Sequence, residues 1–291
     1  MECVEKNKVL KSTLYLVATP IGNLSDITER AVKVLSEVDF IAAEDTRNSL
    51  RLLTSYGIKK ELVSYYEHNK KSSGEKIVAR LLAGESCALI TDAGMPAISD
   101  PGEDIVRLCA DAGIVVSVIP GASAAVSALA LSALSTKKFA FEGFLSANKG
   151  ERRRRLDIIK NEERTLIFYE APHKLKTTLS DLCDTFGKER KISICRELTK
   201  LNEEIVRTTL EGAVKLYEEK EPRGEYVLVL EGAEEAGCFN PCKENELLSL
   251  TPKEHVEKYV ESGMSRMDAI KAVAKERGVK KSEIYNIMID D

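Results

Sequence analysis

Polar residues in this chain gather where short apolar runs end. Glu44-Asp45-Thr46-Arg47 follows one such run and Glu67-His68-Asn69 another; Asp92-Ala93-Gly94-Met95-Pro96 follows a third, with Asp100-Pro101-Gly102 closing the same loop. The arrangement recurs at Glu170-Ala171-Pro172-His173-Lys174 and at Arg196-Glu197-Leu198-Thr199-Lys200. Carboxylates and a histidine at such positions can take a proton from a hydroxyl nucleophile, and small residues between them let backbone amides approach a bound molecule. Candidate proton acceptors are Glu44, Asp45, His68, Glu170 and Glu197. Each has a plainer alternative. Glu44 and Asp45 with Arg47 fit a salt-bridged cluster at a strand end, His68 a loop hydrogen-bonder, and Arg196, Glu197 and Lys200 a structural ion-pair network.

Strands alternating with helices must position these loops. Thr13 to Ala18, Phe40 to Ala43, Glu61 to Tyr66, Cys87 to Thr91 and Val115 to Ile119 read as five strands. Between them, Asp26 with Glu29 predicts a capping box for a helix carrying Ile27, Ala31, Val34, Leu35 and Val38. The next helix carries Leu50, Leu52, Leu53 and Tyr56 and stops at Gly57; Ser72 with Glu75 opens a third, closed by Gly84. Asp100 as N-cap, Pro101 at the first helical position and Glu103 completing a capping box predict a fourth, ending near Ala112. This alternation indicates a mainly parallel sheet covered on both faces, with its loops at the edge where open α/β folds bind ligands.

That domain is assigned to residues 10–134. A second α/β domain, residues 136–231, has extended runs at Phe139 to Phe144, Thr165 to Glu170, Lys191 to Leu198, Glu204 to Thr209 and Tyr226 to Leu230. Helices are predicted there over Asn148 to Glu163 and up to Phe186 before Gly187, giving a mixed sheet. A polar, turn-rich linker at 232–245 leads to a small helical extension, residues 246–291, of two or three short helices.

Composition narrows the partners. The 291 residues carry a net charge of -4, which argues against a uniformly basic nucleic-acid coat and leaves room for a local basic patch. Lys149, Arg152, Arg153, Arg154 and Arg155 concentrate positive charge on one predicted helix, and four consecutive arginines spread around most of its circumference. The plainer reading of that run is a solvated face. With Arg47, Arg196 and Lys200, these residues form the set expected to contact phosphates, as in a nucleic acid. Lys271, Lys275, Arg277, Lys280 and Lys281 make a second basic cluster in the tail. Seven cysteines, an odd number, read as reduced thiols; Cys238 and Cys242 lack a second pair, have only His255 nearby, and predict no metal site. No run reaches the roughly 18 apolar residues of a membrane helix, and residues 1–11 lack a signal-peptide core, so a cytoplasmic location is expected. Neither a Gly-x-Gly-x-x-Gly turn nor a phosphate-binding Gly-x-x-x-x-Gly-Lys-Ser/Thr loop is present.

Taken in order, Thr19-Pro20-Ile21-Gly22-Asn23-Leu24, Ala43-Glu44-Asp45-Thr46-Arg47, Thr91 to Pro96 with Ile98-Ser99-Asp100-Pro101-Gly102, and Pro120-Gly121-Ala122-Ser123-Ala124 resemble the motif series of the tetrapyrrole methylase superfamily. Phe141-Glu142-Gly143-Phe144-Leu145, Phe168-Tyr169-Glu170-Ala171-Pro172-His173 and Arg196 to Lys200 narrow the resemblance to the branch that methylates small-subunit ribosomal RNA. The resemblance implies a homodimer of two α/β domains with S-adenosylmethionine in the cleft between them. It also implies 2′-O-methylation of a cytidine in the decoding region of 16S rRNA, as free RNA or in the small ribosomal subunit. Cofactor contacts are implied at Pro20, Asp92, Ala93, Gly94, Ile98, Ser123, Ala124, Tyr169, Glu170 and Tyr226. Two positions depart from the pattern. Tyr66 stands where histidine is common, which weakens a proton-transfer role there, and Lys174 where arginine is, which loosens a bidentate phosphate contact. Methyl transfer from a sulfonium discharges a cation, so a dry cleft with aligned reactants supplies much of the acceleration without a metal. Competing readings are a methylase of a tetrapyrrole or other non-RNA acceptor and a non-catalytic RNA-binding assembly factor.

Overall fold

The computed structural model describes residues 8–233, 250–261 and 263–288. Cys3, Cys238, Cys242 and most of the expected linker lie outside the described residues. Two compact units are present, one ending at Ala233 and one following it.

In the first lobe of the larger unit, β1 (Thr13–Val17), β2 (Phe40–Ala43), β3 (Glu61–Ser64), β4 (Cys87–Ile90) and β5 (Val115–Ile119) form a wholly parallel sheet in the order β3-β2-β4-β1-β5. Covered on both faces, its middle strands are apolar at nearly every position. One face packs Tyr15, Val17 and Ile41 beneath α1 (Glu29–Glu37) and α2 (Thr46–Ser55), through Val34, Leu35 and Leu53. The other packs Leu14, Phe40 and Leu89 beneath α3 (Lys70–Leu82) and α4 (Gly102–Asp111), through Ile77, Leu81 and Ile105.

Several helix starts differ from expectation because other groups take up the free amides. Thr28, not Asp26, caps α1, its hydroxyl accepting from Ala31 N at 3.1 Å, while Asp26 sits in a preceding 3-10 turn. Asn69 closes a turn with Tyr66 N and Ser64 O, so β3 ends early and α3 starts before Ser72. Asp100 accepts from Gly102 N at 2.7 Å and from Ala97 N, but Glu103 pairs with Arg107 and completes no capping box.

A second sheet, ordered β6-β7-β10-β8-β9, comprises β6 (Phe139–Phe144), β7 (Thr165–Glu170), β8 (Lys191–Arg196), β9 (Glu204–Thr209) and β10 (Tyr226–Leu230). Only β6 and β7 run parallel. On one face α6 (Lys149–Ile159), α7 (Pro172–Phe186) and α8 (Leu210–Glu219) bury Leu156, Leu175, Leu179 and Tyr217 against Phe168 and Leu228. The opposite face receives α5 (Ala124–Leu131), which follows β5 of the first sheet. Ala125, Ala128 and Leu129 meet Ile167, Cys195, Val227 and Val229 there, so the two lobes share an apolar core. Neither α5 nor α8 was expected. α5 is Ala-Ala-Val-Ser-Ala-Leu-Ala-Leu, with no polar stripe to give a helical period, and α8 follows β9 with no intervening turn residue. α6 ends at Ile159, four residues short of expectation.

The second unit contains α9 (Pro252–Glu261), α10 (Arg266–Glu276) and α11 (Lys281–Ile287) around Val256, Ile270, Val273 and Ile284. No helix of the described residues is long and apolar enough to cross a membrane.

Candidate active site

Parallel strands bring the loops after β1, β2, β4 and β5 to one edge of the first sheet. Two of these loops are joined by backbone: Thr19 N donates to Gly94 O at 2.9 Å and Gly94 N returns to Thr19 O at 3.1 Å. Thr19 Oγ1 adds a bond to Thr91 O. Gly94 has φ +83, and a side chain there would come 3.2 Å from Ile21 Cγ2, so a residue without a Cβ is needed. Beyond it, Ala97 (φ 68) and Ser99 (φ 62) hold left-handed backbone, a conformation most L residues avoid and one that clusters at binding loops.

These loops face the second sheet across a cavity of about 500 Å3, a volume suited to a nucleoside-sized ligand. From the first lobe come Glu44, Ala93, Gly94, Ile98, Ser123 and Ala124; from the second come Phe144, Tyr169, Glu170, Leu198, Tyr226 and Val227. Tyr169 ties the lobes together. Its hydroxyl accepts from Ala125 N at 3.2 Å, replacing a cap that Ser123 does not provide, and its ring stacks edge-on to Phe141 and Phe144. Burial pushes the Tyr169 phenol above its usual pKa, which keeps it a neutral hydrogen-bonding group.

A second cavity of about 490 Å3 adjoins the first and shares Ile21, Thr91, Ala93 and Glu225 with it. Pro20 and Asp92 line this neighbour, not the larger cavity. Asp92 there accepts from Asn48 Nδ2 at 3.0 Å.

Among the candidate bases, Glu44 alone reaches the larger cavity with bonding capacity to spare. Thr91 Oγ1 donates to its Oε2 at 2.8 Å. Asp45 instead caps α2 through Arg47 N and pairs with the Arg47 side chain, which lowers its pKa from 3.8 to about 2 and makes it a feeble base. Glu170 is 3% exposed, and its two oxygens accept from Ala171 N and Thr178 Oγ1, so it anchors the start of α7. Glu197 is engaged by Glu225 N and Lys200; burial raises its pKa, but these partners outweigh it and leave the carboxyl below its usual range. His68 is exposed beside Tyr66 and lines neither cavity.

The arginine run divides. Arg152 is buried, with Nε donating to Asp181 at 2.7 Å and Nη1 to the Ser146 and Ala147 carbonyls, so it leaves the RNA-facing set. Arg155 forks onto Glu142 at 2.7 and 2.9 Å. Lys149, Arg153 and Arg154 are exposed, as is Arg47 despite its pair with Asp45. Arg196 binds Glu204 and the Arg223 carbonyl, and Lys200 binds Glu197 and Glu225; both belong to an ion-pair network. Residues not anticipated at the cavity include Met95, His173, Leu198, Glu225 and Val227. Three of them lie inside the quoted loop motifs, where flanking position was the available signal. Among the described residues no group of three or more His, Cys, Asp or Glu side chains is placed to hold a metal ion.

Loops of two lobes gathered around such a cavity form a candidate ligand site of the kind enzymes use. Residues 13–214 match the family described as Tetrapyrrole (Corrin/Porphyrin) Methylases, and the chain belongs to it. Solved structures with the same fold include uroporphyrin-III-C-methyltransferase from Thermus thermophilus (TM-score 0.55, 20% identity, 76% of this chain and 94% of that one) and diphthine synthase (TM-score 0.58, 15% identity, 76% and 90%). Much higher identity joins it to proteins named ribosomal RNA small subunit methyltransferase I. The relative from Halalkalibacterium halodurans is 51% identical over 95% of this chain and 94% of its own length, and that from Bacillus subtilis 46% over 94% and 92%. A third, from Thermotoga maritima, is 47% identical over 76% of this chain and 99% of its own length.

Proposed function

We propose that the protein transfers a methyl group from S-adenosylmethionine to the 2′-hydroxyl of a cytidine in the decoding region of 16S rRNA. In this reading it works in the cytoplasm as a homodimer, on the rRNA or the small ribosomal subunit. The larger cavity carries the proposal: it is mostly apolar and lined by both lobes, and it shares Ile21, Thr91, Ala93 and Glu225 with a second cavity, so a donor and an acceptor can lie side by side. The relatives' shared name supports the choice of acceptor.

The cavity fits the cofactor through its backbone. The Gly94 turn and the left-handed Ala97 and Ser99 present main-chain groups, and Gly121 packs so tightly on Ala18 that an added Cβ would lie 2.9 Å from Ala18 Cβ. Ala93, Gly94, Ile98, Ser123, Ala124, Tyr169 and Tyr226 would hold the cofactor, which when bound supplies an electrophilic methyl on a sulfonium. Glu44, steadied by Thr91, accepts the proton of the attacking hydroxyl. Lys149, Arg153, Arg154 and Arg47 contact phosphates.

Purified protein is incubated with labelled S-adenosylmethionine and small subunits from a strain lacking the gene. Label on one cytidine ribose of 16S rRNA is expected. Label on another nucleotide, on a base, or only on a tetrapyrrole offered in parallel overturns the proposal.

A further inference from the structure

The second cavity is built largely on one face of α2. Asn48, Arg51, Leu52 and Ser55 stand at i, i+3, i+4 and i+7 and line it together with Leu24 and Asp92. Its polar groups have a definite polarity. A carboxylate only accepts, so the bond from Asn48 to Asp92 fixes which end of the amide faces Asp92. A second N–H on Asn48 Nδ2 and the free Asp92 Oδ1 then present a donor beside an acceptor. The N3 and N4 edge of cytosine complements this pair, N3 accepting from Asn48 and the N4 amine donating to Asp92; uracil matches only with the two contacts exchanged, which turns the base relative to Arg51 and the ribose. Arg51, also on the lining, forms no ion pair among the described residues, although other arginines near the cleft are bonded to carboxylates. A free guanidinium beside a nucleoside-sized cavity suits a phosphate. Leu24, Leu52 and Ile21 supply apolar surface for the faces of a base.

We infer that this cavity receives the nucleoside to be methylated, read by Asn48 and Asp92 as a cytosine and held through its phosphate by Arg51. The inference rests on the RNA-methylating reading above and deepens it: selection of the base passes to α2 and Asp92, away from the arginines of α6. It also gives Asp92 an acceptor-side role in place of the donor-side role implied by resemblance.

The test compares Asn48→Ala, Arg51→Gln and Asp92→Asn with wild type, using small subunits that carry cytidine or uridine at the methylated position. Cofactor affinity is measured by calorimetry and folding by thermal unfolding. Asn48→Ala and Arg51→Gln should raise KM for the subunit about tenfold, in keeping with loss of one hydrogen bond to a charged or polar group. Cofactor affinity should stay within about twofold, since neither residue lines the larger cavity. Asp92→Asn should reduce the preference for cytidine over uridine about tenfold or more, the discrimination expected of a base-edge contact. Unchanged KM and unchanged base preference in an active enzyme overturn the inference while leaving the methyltransferase reading intact. Loss of cofactor binding in Asn48→Ala or Arg51→Gln overturns it by assigning the cavity to the cofactor. Wild-type protein that binds cofactor but transfers nothing to subunits overturns both. Asn48 and Arg51 are exposed on α2, so their substitution leaves the fold in place even where Asp92→Asn does not.

Discussion

Replacing Arg152 by alanine should lower the stability of the larger unit rather than weaken RNA contact directly. The side chains of Arg152 and Asp181 are 8% and 9% exposed, and the guanidinium also satisfies the Ser146 and Ala147 carbonyls. Truncation strands the Asp181 carboxylate in a dry environment. Removing one partner of a buried pair costs about 3–5 kcal/mol, and Arg153, 3.8 Å from Asp181 Oδ1, compensates in part, so the lower figure applies. At about 2–4 °C per kcal/mol for a unit of this size, the melting temperature should fall by about 6–12 °C. Thermal unfolding followed by near-ultraviolet circular dichroism measures it. The double change Arg152→Met with Asp181→Leu removes both charges and should recover most of the loss. Arg154→Ala should leave stability within about 0.5 kcal/mol and lower the salt dependence of RNA binding by about one counterion. A loss under about 2 °C for Arg152→Ala, or a double variant no more stable than the single one, refutes the reasoning.

Glu44→Gln should lower kcat by about a hundredfold or more with little change in cofactor affinity, measured by single-turnover methyl transfer; an unchanged rate removes Glu44 as the proton acceptor. Asp39 accepts from Ser86 Oγ and Ser86 N, both at 2.7 Å, which with Lys11 lowers its pKa from 3.8 to about 2. Because the folded value is depressed, its contribution is complete above pH 3.8 and disappears as pH falls through about 2. Urea denaturation should therefore show a flatter acid limb for Asp39→Asn across that window, and a limb identical to wild type counts against the assignment. At Gly22 an added Cβ would overlap Lys200 Cγ and come 3.0 Å from Leu198 O, so Gly22→Ala should cost about 1–3 kcal/mol in urea denaturation by forcing apart the loops after β1 and β8. No change in stability would show that the loops yield freely.

What could be read from residues alone followed the strength of each local signal. β2, β5 and β10 fall where their apolar runs do, because Gly, Pro or charged residues stand at or next to both ends. α5 escaped because Ser127 is its single polar residue, so even the side that bears exposed Val126 and Leu131 carries no polar stripe to betray its period. At the site, the loop motifs marked the cavity, since a turn needing small residues is written locally. The pairing of Asp45 with Arg47 was open there as the plainer reading, but the fates of Glu170 and Arg152 were not written there. Whether a charged side chain faces a ligand or a partner depends on residues outside its own motif, such as Thr178 for Glu170 and Asp181 for Arg152. Of four adjacent arginines at helical spacing, one had to point inward, but only Asp181 decides which.

α5 starts from the first sheet and spends its apolar surface on the second. Lobes joined in this way do not swing like a hinged jaw, because opening them would expose Ala128, Ile167 and Val229 to water. The mouth of the site therefore has a set width, and the work of fitting falls to the RNA. On the proposed reading, a target nucleotide must leave its stack before it can enter. On the same reading, a mouth of set width admits only a nucleotide the surrounding RNA can present, so substrate shape as well as sequence sets the rate.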